Sequence, residues 1–105
     1  MSHCVVFVTV PNRALGKSLA ETLVQERLAA CANLVPGLLS TYRWQGKIEQ
    51  EPEELLIIKT RETLVERLTA RVRELHSYQV PEVIALPVLA GSQAYLEWVT
   101  KETCE

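Results

Sequence analysis

Apolar positions along this chain follow two rhythms, one alternating as strands do and one recurring at helical spacing. Residues 5–10 read VVFVTV, a β-branched run closed by Pro11-Asn12, and predict a strand. Asn12 is placed to cap a helix whose apolar residues recur at Leu15, Leu19, Leu23, Val24 and Leu28, with Arg13, Lys17, Glu21 and Gln25 on its other side. Extended structure resumes over 31–35 and bends at Pro36-Gly37. Over 38–44 the chain alternates, with Leu38, Ser40, Tyr42 and Trp44 on one side and Leu39, Thr41 and Arg43 on the other. Gln45-Gly46 signals a turn, 47–50 returns as a polar ribbon, and Glu51-Pro52-Glu53 interrupts it before LLIIK at 55–59, a fully apolar strand. Thr60 or Thr63 then caps a second helix, Thr63 pairing with Glu66 as a capping box. Its stripe is Leu64, Val65, Leu68, Val72 and Leu75, and Arg71 and Arg73 lie near the end where the helix dipole favours cations. Residues 76–81 read as a loop, 83–89 as a strand, Ala90-Gly91 as a break. Ser92 caps a short last helix with Tyr95, Leu96, Trp98 and Val99.

The order β-α-β-β-α-β-α contains a split βαβ unit, so the expected class is α+β, a ferredoxin-like sandwich with an extended hairpin and a short C-terminal helix. That layout puts both main helices on one face of the sheet. An open face should alternate polar outward, yet Val6, Val8 and Val10 are matched by Val5 and Phe7, Leu56 and Ile58 by Leu55 and Ile57, and Ile84, Leu86 and Val88 by Val83 and Ala85. Two apolar faces predict cover by partner subunits as well as by the last helix. Pro87 marks the final strand as an edge.

Size and charge narrow the function. A chain of 105 residues is expected to be one domain, 1–105, and a net charge of −2 argues against nucleic acid. There are 13 acidic residues, all Glu, and the lack of Asp disfavours calcium loops and magnesium phosphotransfer sites. Cys4, Cys31 and Cys104 are odd in number and widely spaced, which fits a reducing compartment. With no leader at the N-terminus and no apolar run long enough to cross a membrane, the expected location is cytoplasmic. Gly16, Gly37, Gly46 and Gly91 are too dispersed for a phosphate cradle, and no Ser or Cys is tied by spacing to His3 or His76, so no enzymatic activity is expected.

Some residues stand out as binding candidates. His76 opens the loop HSYQVPE, either as a functional group or as a helix-ending side chain with Tyr78 packed over a strand end. Tyr42, Arg43 and Trp44 form either an oligomer contact, the favoured reading because amphipathic aromatics suit interfaces, or a binding wall for a ligand. Glu49, Glu51, Glu53 and Glu54 read as a solvated rim, with attraction of a cation as the minority alternative. Cys31 reads as a buried small hydrophobe. His3 and Cys4, beside the N-terminal amine, match an incidental tetragonal Cu(II) site.

Taken together, the blocks LAACAN at 28–33, STYRWQGK at 40–47, LLIIKT at 55–60, HSYQVPE at 76–82 and YLEW at 95–98 resemble the CutA family of divalent-cation tolerance proteins, over nearly the whole chain. The resemblance implies a homotrimer of ferredoxin-like domains with hairpins pairing across subunits. It also implies a role in the response to metal ions, copper binding and no enzymatic reaction. The metal candidates are then His76, His3 and Cys4, with copper or another divalent metal as cofactor and none needed for folding. At the family positions proposed to hold copper, this chain has Val8, Leu75 and His76, and Ser77 stands where the family loop has Pro. The implied inter-subunit cleft is lined by Asn33, Tyr42, Trp44, Lys59, His76, Tyr78, Glu82 and Trp98. The alternative is a trimeric small-ligand sensor or assembly scaffold using that cleft, with a small anionic ligand near Lys59. Neither nucleic acid nor membrane is an expected partner.

Overall fold

The computed structural model describes residues 2–103, so Cys104 and the amine of Met1 lie outside it. Its elements are β1 (His3–Val10), α1 (Arg13–Gln25), β2 (Cys31–Trp44), β3 (Lys47–Arg61), a 3-10 turn (Glu62–Leu64), α2 (Val65–Leu75), β4 (Ile84–Pro87) and α3 (Gln93–Glu102). They form one antiparallel sheet in the order β2-β3-β1-β4, the ferredoxin-like arrangement.

Alternation decides the faces. Cys4, Val6, Val8 and Val10 of β1 and Leu56 and Ile58 of β3 turn toward α1 and α2, meeting Leu19, Leu23, Leu68 and Val72 in a core with almost no exposure. Asn12 caps α1 as expected, its side chain accepting from the Leu15 N–H at 2.9 Å. Helix α1 seats closely because position 16 is glycine: a Cβ there would lie 2.7 Å from a Leu34 methyl and 3.0 Å from one of Val10.

The hairpin differs from its expected form. Pro36-Gly37 bends nothing apart; the chain runs through it as one strand with a bulge between Val35 and Leu38, Gly37 taking the left-handed φ of 87°. Pro52 likewise sits inside β3, opposite Leu39. It is tolerated because β1 stops pairing at Val10–Glu54, so beyond that point β3 is bonded on one side only. The outcome is a two-stranded arm of unusual length, closed by Gln45 and Gly46 at φ 51° and 82°.

Three smaller corrections belong at the ends of elements. Thr60 does not cap α2: it stays in β3 and donates to the Leu28 carbonyl at 2.7 Å. The Thr63–Glu66 box does not form either, since a 3-10 turn leads into α2 without a side-chain cap. The last strand shortens to four residues and lies at the sheet edge, as Pro87 suggested.

Helix α3 crosses one end of the second face. There Val99 is buried and Arg61, only 2% exposed, donates to Thr103 Oγ1 at 2.8 Å and to its carbonyl at 3.1 Å. The middle of that face is bare. Val5 and Phe7 register with Lys59 and Ile57 on one side and with Leu86 and Ile84 on the other, and Ile84 and Leu86 are 52% and 43% exposed.

Candidate functional site

At the end of the second face opposite α3, the hairpin arm, the end of β1 and the loop after α2 enclose a cleft of about 640 Å³. The two-residue turn sets its composition. Counting back from it pairs Tyr42 with Glu49 and Ser40 with Glu51, so Ser40, Tyr42, Trp44 and Glu51 share one face. Thr9 of β1 and Glu53 lie at the inner end, and loop 77–82 supplies Tyr78, Val80 and Glu82.

Hydrogen bonds tie two tyrosines of the cleft to two of its glutamates. The Tyr78 hydroxyl donates to Glu53 Oε2 at 2.6 Å, and that of Tyr42 donates to Glu51. Burial, the Glu53 hydrogen bond and the Glu53 charge all push the Tyr78 phenol up. The Glu51 hydrogen bond chiefly pushes Tyr42 up, to about 12. Glu82 is raised by burial first and then by the Glu53 charge. The expected solvated rim is thus half right: Glu53 is 9% exposed and bonded, and Glu54 is part-buried with one oxygen enclosed.

His76 lies beneath the cleft instead of facing into it. Its backbone N–H donates to the Val72 carbonyl at 2.8 Å and ends α2. The Tyr78 N–H donates to Nδ1 at 3.0 Å, which requires the lone pair there, so the ring proton is on Nε2 and is donated to the Thr9 carbonyl at 2.8 Å. Both nitrogens are used, the residue is 9% exposed, and the ring packs on Tyr78 with centroids 4.6 Å apart. His76 fastens the cleft loop to β1.

Within one chain the eight residues implied for an inter-subunit cleft do not all meet. Tyr42, Trp44, Tyr78 and Glu82 line the cleft and His76 supports it. Asn33 and Lys59 bond to each other farther along the sheet, beside Cys31, which is half-buried with Sγ 3.9 Å from Asn33 Oδ1. Trp98 lies on α3, tilted against Tyr95 at 5.6 Å. Thr9, Ser40, Glu51 and Glu53 were not anticipated as cleft residues, although the two-residue turn already implied the Ser40–Glu51 pair.

The metal candidates do not converge. His3 Nε2 is 2.8 Å from Thr100 Oγ1 under α3. Cys4, the next residue, points to the opposite face and into the core, its thiol pushed up by burial and by Glu62. His76 sits at the far end of β1, so within one chain the three residues form no common site for a copper ion. Among the described residues no group of three or more His, Cys, Asp or Glu side chains is arranged to hold a metal, and no helix is long and apolar enough to cross a membrane.

The sequence profile of the CutA1 divalent ion tolerance protein matches residues 4–102. A chloroplastic CutA protein of Arabidopsis thaliana is 60% identical over 99 residues, covering 94% of this chain and 54% of its own length. The divalent-cation tolerance protein CutA of Thermus thermophilus is 48% identical over 99 residues, covering 94% and 96%. The crystal structure of CutA1 from Oryza sativa aligns with a TM-score of 0.97 at 53% identity, over 100% of this chain and 96% of that one. A structure from Archaeoglobus fulgidus, described as a periplasmic divalent cation tolerance protein, aligns at 0.93 with 32% identity over 95% and 97%. The chain spans about half the length of the plant relatives it matches and nearly all of the Thermus one.

Proposed function

The chain belongs to the CutA1 divalent ion tolerance family, and on that premise we propose that it serves divalent-cation tolerance as a homotrimer that binds a small ligand in the hairpin cleft. The family is described by ion tolerance and not by a reaction, and the proposal includes no catalytic step.

One observation carries this reading over direct copper capture. The cleft is roomy and two of its tyrosines are tied to glutamates, whereas both nitrogens of His76 are already occupied. Copper at His76 would have to displace the bond to Thr9 or to Tyr78. Support for the trimer comes from the bare middle of the second face, where Ile84 and Leu86 stand open to water. The proposed compartment is the cytoplasm; relatives are named chloroplastic or periplasmic, and subcellular fractionation of the tagged full-length protein checks it.

The test pairs a copper titration with a growth assay. His76→Asn, which keeps a donor and an acceptor, should take up copper no differently from the parent. In a host lacking its own copy, the parent should restore growth on copper and Trp44→Ala should not. Stoichiometric copper that disappears in His76→Asn would return the function to metal binding. Full tolerance with Trp44→Ala would remove the cleft from it.

A further inference from the structure

Helix α1 ends in a backbone turn that favours glycine, and the chain puts an arginine there. The N–H of Leu28 returns to the Leu23 carbonyl and that of Arg27 to the Val24 carbonyl, both at 3.0 Å, with Arg27 in the left-handed conformation at φ 61°. Glycine enters that region freely, whereas a Cβ crowds the backbone, so helices closed this way most often carry glycine at this position. Gln45 is the other described non-glycine residue with positive φ, and it sits in the hairpin turn that demands it.

The Arg27 side chain bonds outside α1. Its Nη2 donates at 2.7 Å to the carbonyl of Lys101, 74 positions along the chain. Helix α3 ends at Glu102, so that carbonyl belongs to the last turn, where carbonyls lack an amide one turn ahead and the helix dipole favours a cation. Two strands reach the same end of α3: Arg61 of β3 donates to Thr103, and His3 of β1 lies against Thr100. The remainder of the helix is lightly docked. Val99 is its one buried residue among those described, and Leu89, in the segment leading to it, is fully exposed.

We propose that Arg27 is a positioning residue for α3, tying the end of α1 to the last turn of α3 and so setting how that helix presents Tyr95 and Trp98. Those two rings lie 5.6 Å apart and are 42% and 41% exposed. Tyr95 reaches Cys31, whose register partner Lys59 is also that of Val5 in the bare second face. Arginine at a glycine position strains the local backbone and gains a bond between two helices far apart in sequence. The tie lies within one chain, and its consequence for assembly rests on the proposed homotrimer.

Hydrogen exchange read by mass spectrometry on the full chain compares the parent with Arg27→Gly, Arg27→Ala and Arg27→Lys. The first removes the guanidinium and relieves the backbone; the second removes the guanidinium and leaves the strain. In both, the amides of 99–102 should exchange about tenfold faster, the effect of losing one charge-assisted hydrogen bond. Those of 24–28 should be no faster in Arg27→Gly. Arg27→Lys, which keeps a cation and a donor, should recover part of the protection at 99–102. In a dilution series followed by light scattering, Arg27→Gly should dissociate at a concentration about tenfold higher than the parent. Unchanged exchange at 99–102 in both Arg27→Gly and Arg27→Ala overturns the proposal. So does an acceleration in Arg27→Gly that is equal over 24–28 and 99–102, since the arginine would then be a staple of the whole fold. Faster exchange at 99–102 with an unchanged dilution curve keeps the tie and overturns its effect on assembly. A monomeric parent removes the trimer, and the exchange result then judges the tie separately.

Discussion

Glu82 lines the cleft, and partial burial together with the Glu53 charge raises its carboxyl above the usual range. A carboxyl whose folded pKa exceeds its unfolded value, near ~4.3, favours the fold fully below that value. The contribution is lost as pH rises through the higher folded value. At neutral pH the ionised Glu82 therefore opposes folding, and Glu82→Gln, which mimics the protonated form, should raise the melting temperature at pH 7. Below about pH 4 the parent is protonated as well, and the two melting curves should converge. A parent and variant that melt together at pH 7 would contradict this. At the residue scale Tyr42, Trp44, Tyr78 and Glu82, which the family resemblance implied for an inter-subunit cleft, come together around one cleft of the single chain. The inward turn of His76 was not legible, because it depends on a carbonyl 67 positions away, at Thr9.

Among the elements, close approach of α1 to the sheet depends on Gly16. A Cβ there first meets a terminal methyl of Leu34, which is half-buried and able to rotate, and then Val10, which is fully buried. Alanine adds one atom and gains helix propensity, so Gly16→Ala should fall within about 1 kcal/mol of the parent. Valine adds two branches against Val10 and should cost about 1–3 kcal/mol by overpacking. Urea denaturation of both variants measures this, and a Gly16→Val protein as stable as the parent would refute the close contact. Local pattern located each helix and strand, because periodicity and the caps at Asn12 and Ser92 are written in neighbouring residues. It misjudged Pro36-Gly37 and Pro52 as breaks. Whether a proline interrupts a strand depends on which edge is bonded at that point, and that is a property of the assembled sheet.

For the molecule as a whole, the unresolved demand is the second face. Helix α3 covers the end at Arg61 and the cleft occupies the other, leaving Val5, Phe7, Leu55, Ile57, Ile84 and Leu86 between them. The hairpin arm extends beyond β1 as two strands only, a form that is marginal in water without a further layer. The sequence had announced this face through apolar residues on both sides of three strands. Assembly should satisfy both demands, and light scattering after size exclusion should return three times the 11.8 kDa chain mass. Ile84→Glu separates assembly from folding. Position 84 is 52% exposed in the single chain, so a carboxylate there costs the isolated fold little, yet inside an interface it would be buried without a partner. The variant should dissociate at micromolar concentration and lose about 10 °C or more of melting temperature, with a melting point that now rises with protein concentration. Lys17→Glu on the exposed side of α1 should remain trimeric as a control. A parent that runs as a folded 11.8 kDa monomer, or an Ile84→Glu protein that keeps both mass and melting temperature, would place the interface elsewhere or abolish it.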